Sequence, residues 1–197
     1  MKSIKNIYCF HVFTLIAFFS FLPDVYSHCD TMSGPVATDA QKALETKDFK
    51  TIQIWVGAAQ EKELEKRFNE CIAVRNINEQ TKKLADMYFI ETSIRLHREA
   101  EGMPFTGVKP AQPLPTDIAA AEKALETGEI KTITDLLTEA IRSETQKWFE
   151  KAVDARKHKD DNVESGRKWV DAYVKYVVYI HGLYMQIEAG PQHGVED

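Results

Sequence analysis

Apolar positions recur every three to four residues through most of the chain, and no run of period-two alternation is long enough to argue for a sheet. "EKELEKRFNECIAVR" and "RSETQKWFEKAVDAR" mix strong helix formers with an apolar stripe and are expected to be amphipathic helices. Asn78 with Thr81, and Asp161-Asn162 with Glu164, are start signals for two longer helices, expected at roughly 79–100 and 162–188. "KALET" followed by Lys47-Asp48 or by Gly128-Glu129 closes a short helix and opens another. Four prolines and two glycines in "EGMPFTGVKPAQPLPT" (101–116) exclude regular structure there. Loops of that length inside a domain are often functional or act as linkers. The expected fold is all-α, a helical bundle.

The same elements occur twice. "AQKALETKDFKTIQIWV" (40–56) lies over "AEKALETGEIKTITDLL" (121–137) at an offset of 81, with nine of 17 positions identical. Glu63, Lys66, Phe68 and Arg75 keep that offset to Glu144, Lys147, Phe149 and Arg156. A three-residue longer connection, "KHKDDNVES", then places His97 over His181. The expectation is a single all-helical domain over 28–197, built from two internally duplicated halves at about 36–101 and 116–188. Pseudo-twofold packing of the halves is expected to bring their long last helices together, where bundles commonly build metal or cofactor sites.

The amino end has a different character. Lys2 and Lys5 precede the apolar run "IYCFHVFTLIAFFSFL" (7–22), and Val25 and Ser27 stand at the −3 and −1 positions of a small-residue cleavage site. Sixteen residues fall short of the ~20 needed to span a bilayer. Residues 1–27 are therefore expected to be a cleaved signal peptide, with the mature chain in the periplasm or outside the cell and no membrane span after cleavage. His28 fits poorly before a lipoprotein cysteine. The full chain has 25 Lys and Arg against 30 Asp and Glu, a net charge of −5; losing Lys2, Lys5 and Asp24 takes the mature chain to −6. Acidic and basic residues are interspersed, which argues against nucleic acid as a partner. Cys29 and Cys71 remain after cleavage. A bridge between them is left open, and the apolar setting "FNECIAV" favours a small buried hydrophobe at Cys71.

Candidate chemistry concentrates in histidines. His97 continues a stripe formed by Leu84, Met87, Ile90 and Ile94, and His181 stands in line with Val170, Val174, Val177 and Tyr184. Both imidazoles are expected to point inward. A lone inward histidine is ordinarily a hydrogen-bonded core residue. His158 falls in the charged turn "ARKHKDD" and takes no role, and His193 lies in a tail that is frayed by default. His28 carries the sharpest argument. Once cleavage frees it, its α-amine (pKa about 7.7–8.0) and its imidazole Nδ1 can chelate one ion. Planar nitrogen ligation suits copper, which heads the divalent affinity order. Cys29 adds a thiolate, while Asp30 and Glu101 are candidates to orient an imidazole from outside the ligand set. The expected metal ligands are His28, Cys29, His97 and His181.

"SHCDTMSGPV", "KALET", "LADMYFIET", "RLHREAEGMPFTGVKPA" and "VESGRKWVDAYV" resemble an uncharacterised family of exported bacterial proteins of unknown function. That resemblance spans nearly the whole mature chain and implies no activity. The start His28-Cys29-Asp30 is similar to that of nickel superoxide dismutase, a four-helical family. That likeness implies nickel held by the amine, the imidazole, the next backbone amide and two thiolates. Ser33 stands where the second thiolate is required, which departs from the family's ligand set. The functional expectation is an exported metal-binding protein holding a redox metal, copper ahead of nickel, with superoxide dismutase-like oxidoreductase activity as its enzymatic form. Alternatives are a non-catalytic periplasmic metal buffer or chaperone and a helical protein-interaction module. A homo-oligomer is left open.

Overall fold

A computed structural model describes residues 28–191 and 194–195. The expected signal peptide and His193 lie outside them. The described residues form a 3-10 turn, His28–Asp30, and seven α-helices: α1 Pro35–Thr46, α2 Lys50–Gln53, α3 Ala58–Val74, α4 Glu79–Ala100, α5 Thr116–Thr127, α6 Lys131–Lys157 and α7 Val163–Ala189. The class is all-α. The single extended pairing among the described residues is an isolated parallel bridge between Thr31 and Lys109. No described helix is long and apolar enough to cross a membrane.

Helix ends follow the local chemistry. Asn78 Oδ1 accepts the Thr81 N–H at 2.8 Å, and Asn162 Oδ1 accepts the Ser165 N–H at 2.9 Å, so α4 and α7 begin at the expected caps, although α6, at 27 residues, is as long as α7 and longer than α4. α1 and α5 end alike: Lys47 (φ 58°) and Gly128 (φ 72°) take left-handed conformations and donate their N–H groups to Ala43 O and Ala124 O. Start, end and cap of α5 each follow those of α1 by 81 residues.

The chain divides into two compact units. The first holds the described residues up to Val56 together with Gln60–His97 and Phe105–Ala111. Its core joins Val36, Ala40 and Leu44 of α1, Ile52 of α2, Leu64 and Phe68 of α3, and Phe89 and Ile94 of α4, all buried. Phe68 touches both Phe49 and Phe89 with ring centroids 5.5 Å apart. Phe105 and Val108 of the proline-rich loop pack on this core, so that loop is a structural component of the unit.

The stripe expected on α4 holds only in its second part. Ile90, Ile94 and His97 are buried, but Leu84 is 73% exposed and Met87 46%. An ion pair sets the rotation of the helix. Arg75, 6% exposed, donates from Nε to Asp86 Oδ1 at 2.8 Å and from Nη1 to Leu44 O at 2.8 Å. Turning Asp86 inward turns Leu84, two residues and about 200° away, outward.

The second unit comprises Gly57–Ala59, Arg98–Pro104 and the described residues from Gln112 onward. Within it α6 packs on α5 and on α7. Trp148 meets Tyr179 at 6.1 Å and Phe149 meets Tyr176 at 5.9 Å between ring centroids, across the buried Ala152. The stripe expected to carry His181 inward is not buried. Val170, Val174, Val177, His181 and Tyr184 are all exposed, because α7 turns the line through Trp169, Ala172, Tyr176, Tyr179 and Leu183 toward α6.

Candidate metal centre at the amino-terminal turn

Four residues close the His28 turn. Its carbonyl accepts two hydrogen bonds from Thr31, one from the backbone N–H at 3.3 Å and one from Oγ1 at 3.0 Å. The Gly34 N–H donates to Thr31 O at 2.9 Å, folding the chain back over itself before α1. This fold places Gly34 against the same carbonyl: a Cβ there would stand 2.2 Å from His28 O. Gly34 has an ordinary φ of −78°, so lack of space, and not a left-handed backbone, selects glycine.

The loop after α4 completes the anchor. Lys109 N donates to Asp30 O at 2.8 Å, and Met32 N donates to Lys109 O at 3.0 Å. Asp30 and Thr31 are buried, while Cys29 and Met32 pack partly buried against the core. His28 is itself half-buried. Backbone and base are held, and the imidazole and the Cys29 thiol sit on a rigid turn at the edge of the unit. No disulfide joins Cys29 and Cys71. Burial, with Glu70 and Asp86 nearby, pushes the Cys71 thiol up to about 11, which suits the small inert hydrophobe expected there.

His97 points inward as expected and is 3% exposed. Its Nδ1 lies 2.7 Å from the carbonyl of Trp55, and the two rings meet edge to face with centroids 5.7 Å apart. A carbonyl only accepts, so Nδ1 carries the proton and donates, which makes Nε2 the lone-pair nitrogen. Metal-binding histidines are commonly oriented this way, and so are core histidines. Trp55 is fixed in turn, its Nε1 donating to Asp39 Oδ2 at 2.7 Å.

Trp55 is the partner that residue typing overlooks, and a comparison of the two similar segments contains the signal. Where 50–74 is interrupted by "IWVG", the matching stretch "DLLT" belongs to the unbroken α6. The interruption releases the Trp55 carbonyl from the helical ladder for His97. No comparable interruption occurs in α6, and His181 is exposed on α7.

Glu101 is engaged by Arg98, whose Nη1 donates to its Oε2 at 2.9 Å; the side chains are 5% and 11% exposed. His158 pairs with Asp161 at 3.0 Å in an exposed turn. Of the expected ligands, His28 and Cys29 are neighbours on one turn, and His97 belongs to the same unit. Among the described residues no three His, Cys, Asp or Glu side chains form a group able to hold a metal ion. The donor set at the turn is therefore the His28 imidazole and the Cys29 thiol, to which cleavage would add the amine.

Neither a curated protein nor a solved structure matches the chain. A family model matches residues 33–179, a span that contains His97 and Glu101 and begins just after the His28 turn. The chain belongs to that family, a family of unknown function (DUF6448).

Proposed function

We propose that the chain is an exported metal-binding protein whose amino terminus, created by cleavage after Ser27, holds a redox metal, copper ahead of nickel. The observation that carries this reading is the pinned carbonyl of His28, which accepts two hydrogen bonds from Thr31 and is backed by Gly34. The α-amine and imidazole Nδ1 of one histidine close a six-membered chelate through Cα, Cβ and Cγ, and a pinned carbonyl fixes where that Cα and the adjoining Cys29 stand, so less freedom is lost when an ion is gripped between them. Cys29 supplies a thiolate from the adjacent residue. In this reading the turn itself supplies the donors; His97, whose Nδ1 donates to Trp55, is oriented to add only its Nε2, and His181 stands exposed on α7.

A metal bound at this turn supplies one-electron chemistry, and superoxide dismutation is the enzymatic form of the proposal. The duplication of the helical segments is proposed with it, on the shared offset of α1 and α5 and their caps.

The test is mass analysis of the exported protein together with its metal content after loading with copper or nickel. A chain starting at His28 with one tightly held ion supports the reading. A chain starting elsewhere, or one starting at His28 that retains neither metal, overturns it. Superoxide consumption above that of the free ion separates an enzyme from a buffer.

A further inference from the structure

Helix α7 carries two apolar faces. One packs on α6 within the second unit. The other contains a heptad repeat with Val163, Val170, Val177 and Tyr184 at the first position and Gly166, Tyr173, Ile180 and Ile187 at the fourth. Ile180 is partly buried, but most of these side chains are exposed: Val170 is 55% exposed, Tyr184 59% and Ile187 65%. A repeat at 3.5-residue spacing is the pattern of a helix that pairs with another helix along its length.

We propose that this face is the contact between two copies of the chain, whose α7 helices pair antiparallel about a twofold axis. The sequence is self-complementary in that register. Val170 faces Ile187 of the second copy, Tyr173 faces Tyr184, and Val177 faces Ile180, and symmetry repeats each layer. The six layers extend along about 26 Å of helix at 1.5 Å per residue.

Charge favours the same register. Basic residues of α7 lie in its first half, at Arg167, Lys168 and Lys175, and Glu188 lies near its end. Lys168 and Lys175 are paired within the helix to Glu164 and Asp171. Arg167 and Glu188 form no ion pair among the described residues. Antiparallel pairing sets Arg167 of each copy beside Glu188 of the other, flanking the outermost apolar layer. Parallel pairing sets the two Arg167 at one end and the two Glu188 at the other, on opposite flanks of the seam, where no Arg167–Glu188 pair forms. The surface does not involve the His28 turn, so the inference stands apart from the proposed metal site.

Sedimentation analysis of the exported protein over a wide concentration range tests it. The wild type is expected at twice the chain mass, and Val177→Asp, which sets a carboxylate into the central layers, is expected to weaken association at least 100-fold with helix content retained. Arg167→Glu and Glu188→Arg each place like charges at both ends of the seam. Each is expected to weaken association about tenfold, because twofold symmetry counts every change twice. The double exchange, Arg167→Glu with Glu188→Arg, is expected to restore it. A wild type that is monomeric at the highest concentration overturns the proposal. So does a dimer indifferent to Val177→Asp, or a double exchange that fails to restore association.

Discussion

Replacing Gly34 with alanine isolates the support of the His28 turn. The added methyl would stand 2.2 Å from His28 O and 3.1 Å from Thr31 O, both backbone atoms that no side-chain rotation can move away. Restoring an ordinary contact requires the His28 carbonyl to retreat by about 1 Å, a small-to-large change in a filled space. Its bonds from Thr31 already span 3.3 and 3.0 Å, so that retreat breaks both. Two hydrogen bonds at about 0.5–1.5 kcal/mol each, with about 1 kcal/mol of residual strain, give an expected loss of about 2–4 kcal/mol. Gly102 is the matched control. It has φ 66° and nothing within 4 Å of an added Cβ, so Gly102→Ala is expected to cost only the left-handed penalty of about 1–2 kcal/mol. Urea unfolding of both variants measures the difference, and under the proposed function copper titration of protein starting at His28 reads the turn itself. Gly34→Ala is expected to lower metal affinity at least tenfold and Gly102→Ala to leave it unchanged. A Gly34→Ala protein within about 0.5 kcal/mol of wild type would refute the steric argument.

Other consequences are open to direct measurement. His97→Ala strands the Trp55 carbonyl and leaves a cavity in the first unit; a loss of about 3 kcal/mol is expected in denaturant unfolding, and a loss under 1 kcal/mol would show that the bond at Nδ1 contributes little. Burial alone would raise the Asp86 carboxyl, but hydrogen bonds from Arg75 and Lys82 outweigh it and hold the group below the usual carboxylate range. Its contribution is therefore complete above the unfolded carboxylate pKa and is lost as pH falls through the lower folded value. Asp86→Asn is expected to cost about 2–3 kcal/mol at neutral pH and to flatten the acid limb of the stability profile, read by unfolding at several pH values. Native protein should react with a thiol reagent at Cys29 and scarcely at Cys71, whose pKa is about 11 and whose side chain is buried; Cys29→Ser should abolish the fast phase in a spectrophotometric thiol assay. Gly182 lies inside α7 with open space around it, and Gly182→Ala is expected to raise stability by about 0.5–1 kcal/mol in thermal unfolding.

Helices with an unambiguous cap are readable in advance. Asn78 and Asn162 mark the starts of α4 and α7, and "KALET" with its left-handed cap marks the ends of α1 and α5, because these signals act within a few residues of the chain. The rotation of a helix is harder to read. Counting apolar positions placed Leu84 and Met87 inward on α4, whereas the buried Arg75–Asp86 pair, whose members are 11 residues apart, turns them out. On α7 the difficulty is an excess of apolar residues. Two stripes compete for one neighbour, and the stripe holding Tyr176 and Tyr179 meets the aromatic rings of α6 while that of His181 is left exposed. At the amino-terminal turn the residue types of His28 and Cys29 were legible. Their support comes from Lys109 in a loop far along the chain and from a glycine selected for space, neither of which residue spacing encodes.

The bridge between Thr31 and Lys109 also orders the assembly of the protein in time. The turn lies near the start of the chain, but the strand-like partner that completes it arrives only after four helices and the proline-rich loop have been synthesised. Such a distant pairing bears its loop-closure entropy late and follows local helix formation. His28 and Cys29 therefore meet their surroundings twice, first on a leading end held only by local turns and later as part of a finished edge. Under the proposed reading, a metal offered during the first interval would meet flexible ligands, and one offered afterward a fixed geometry. The order in which ion and loop arrive thus becomes a variable in the maturation of the protein.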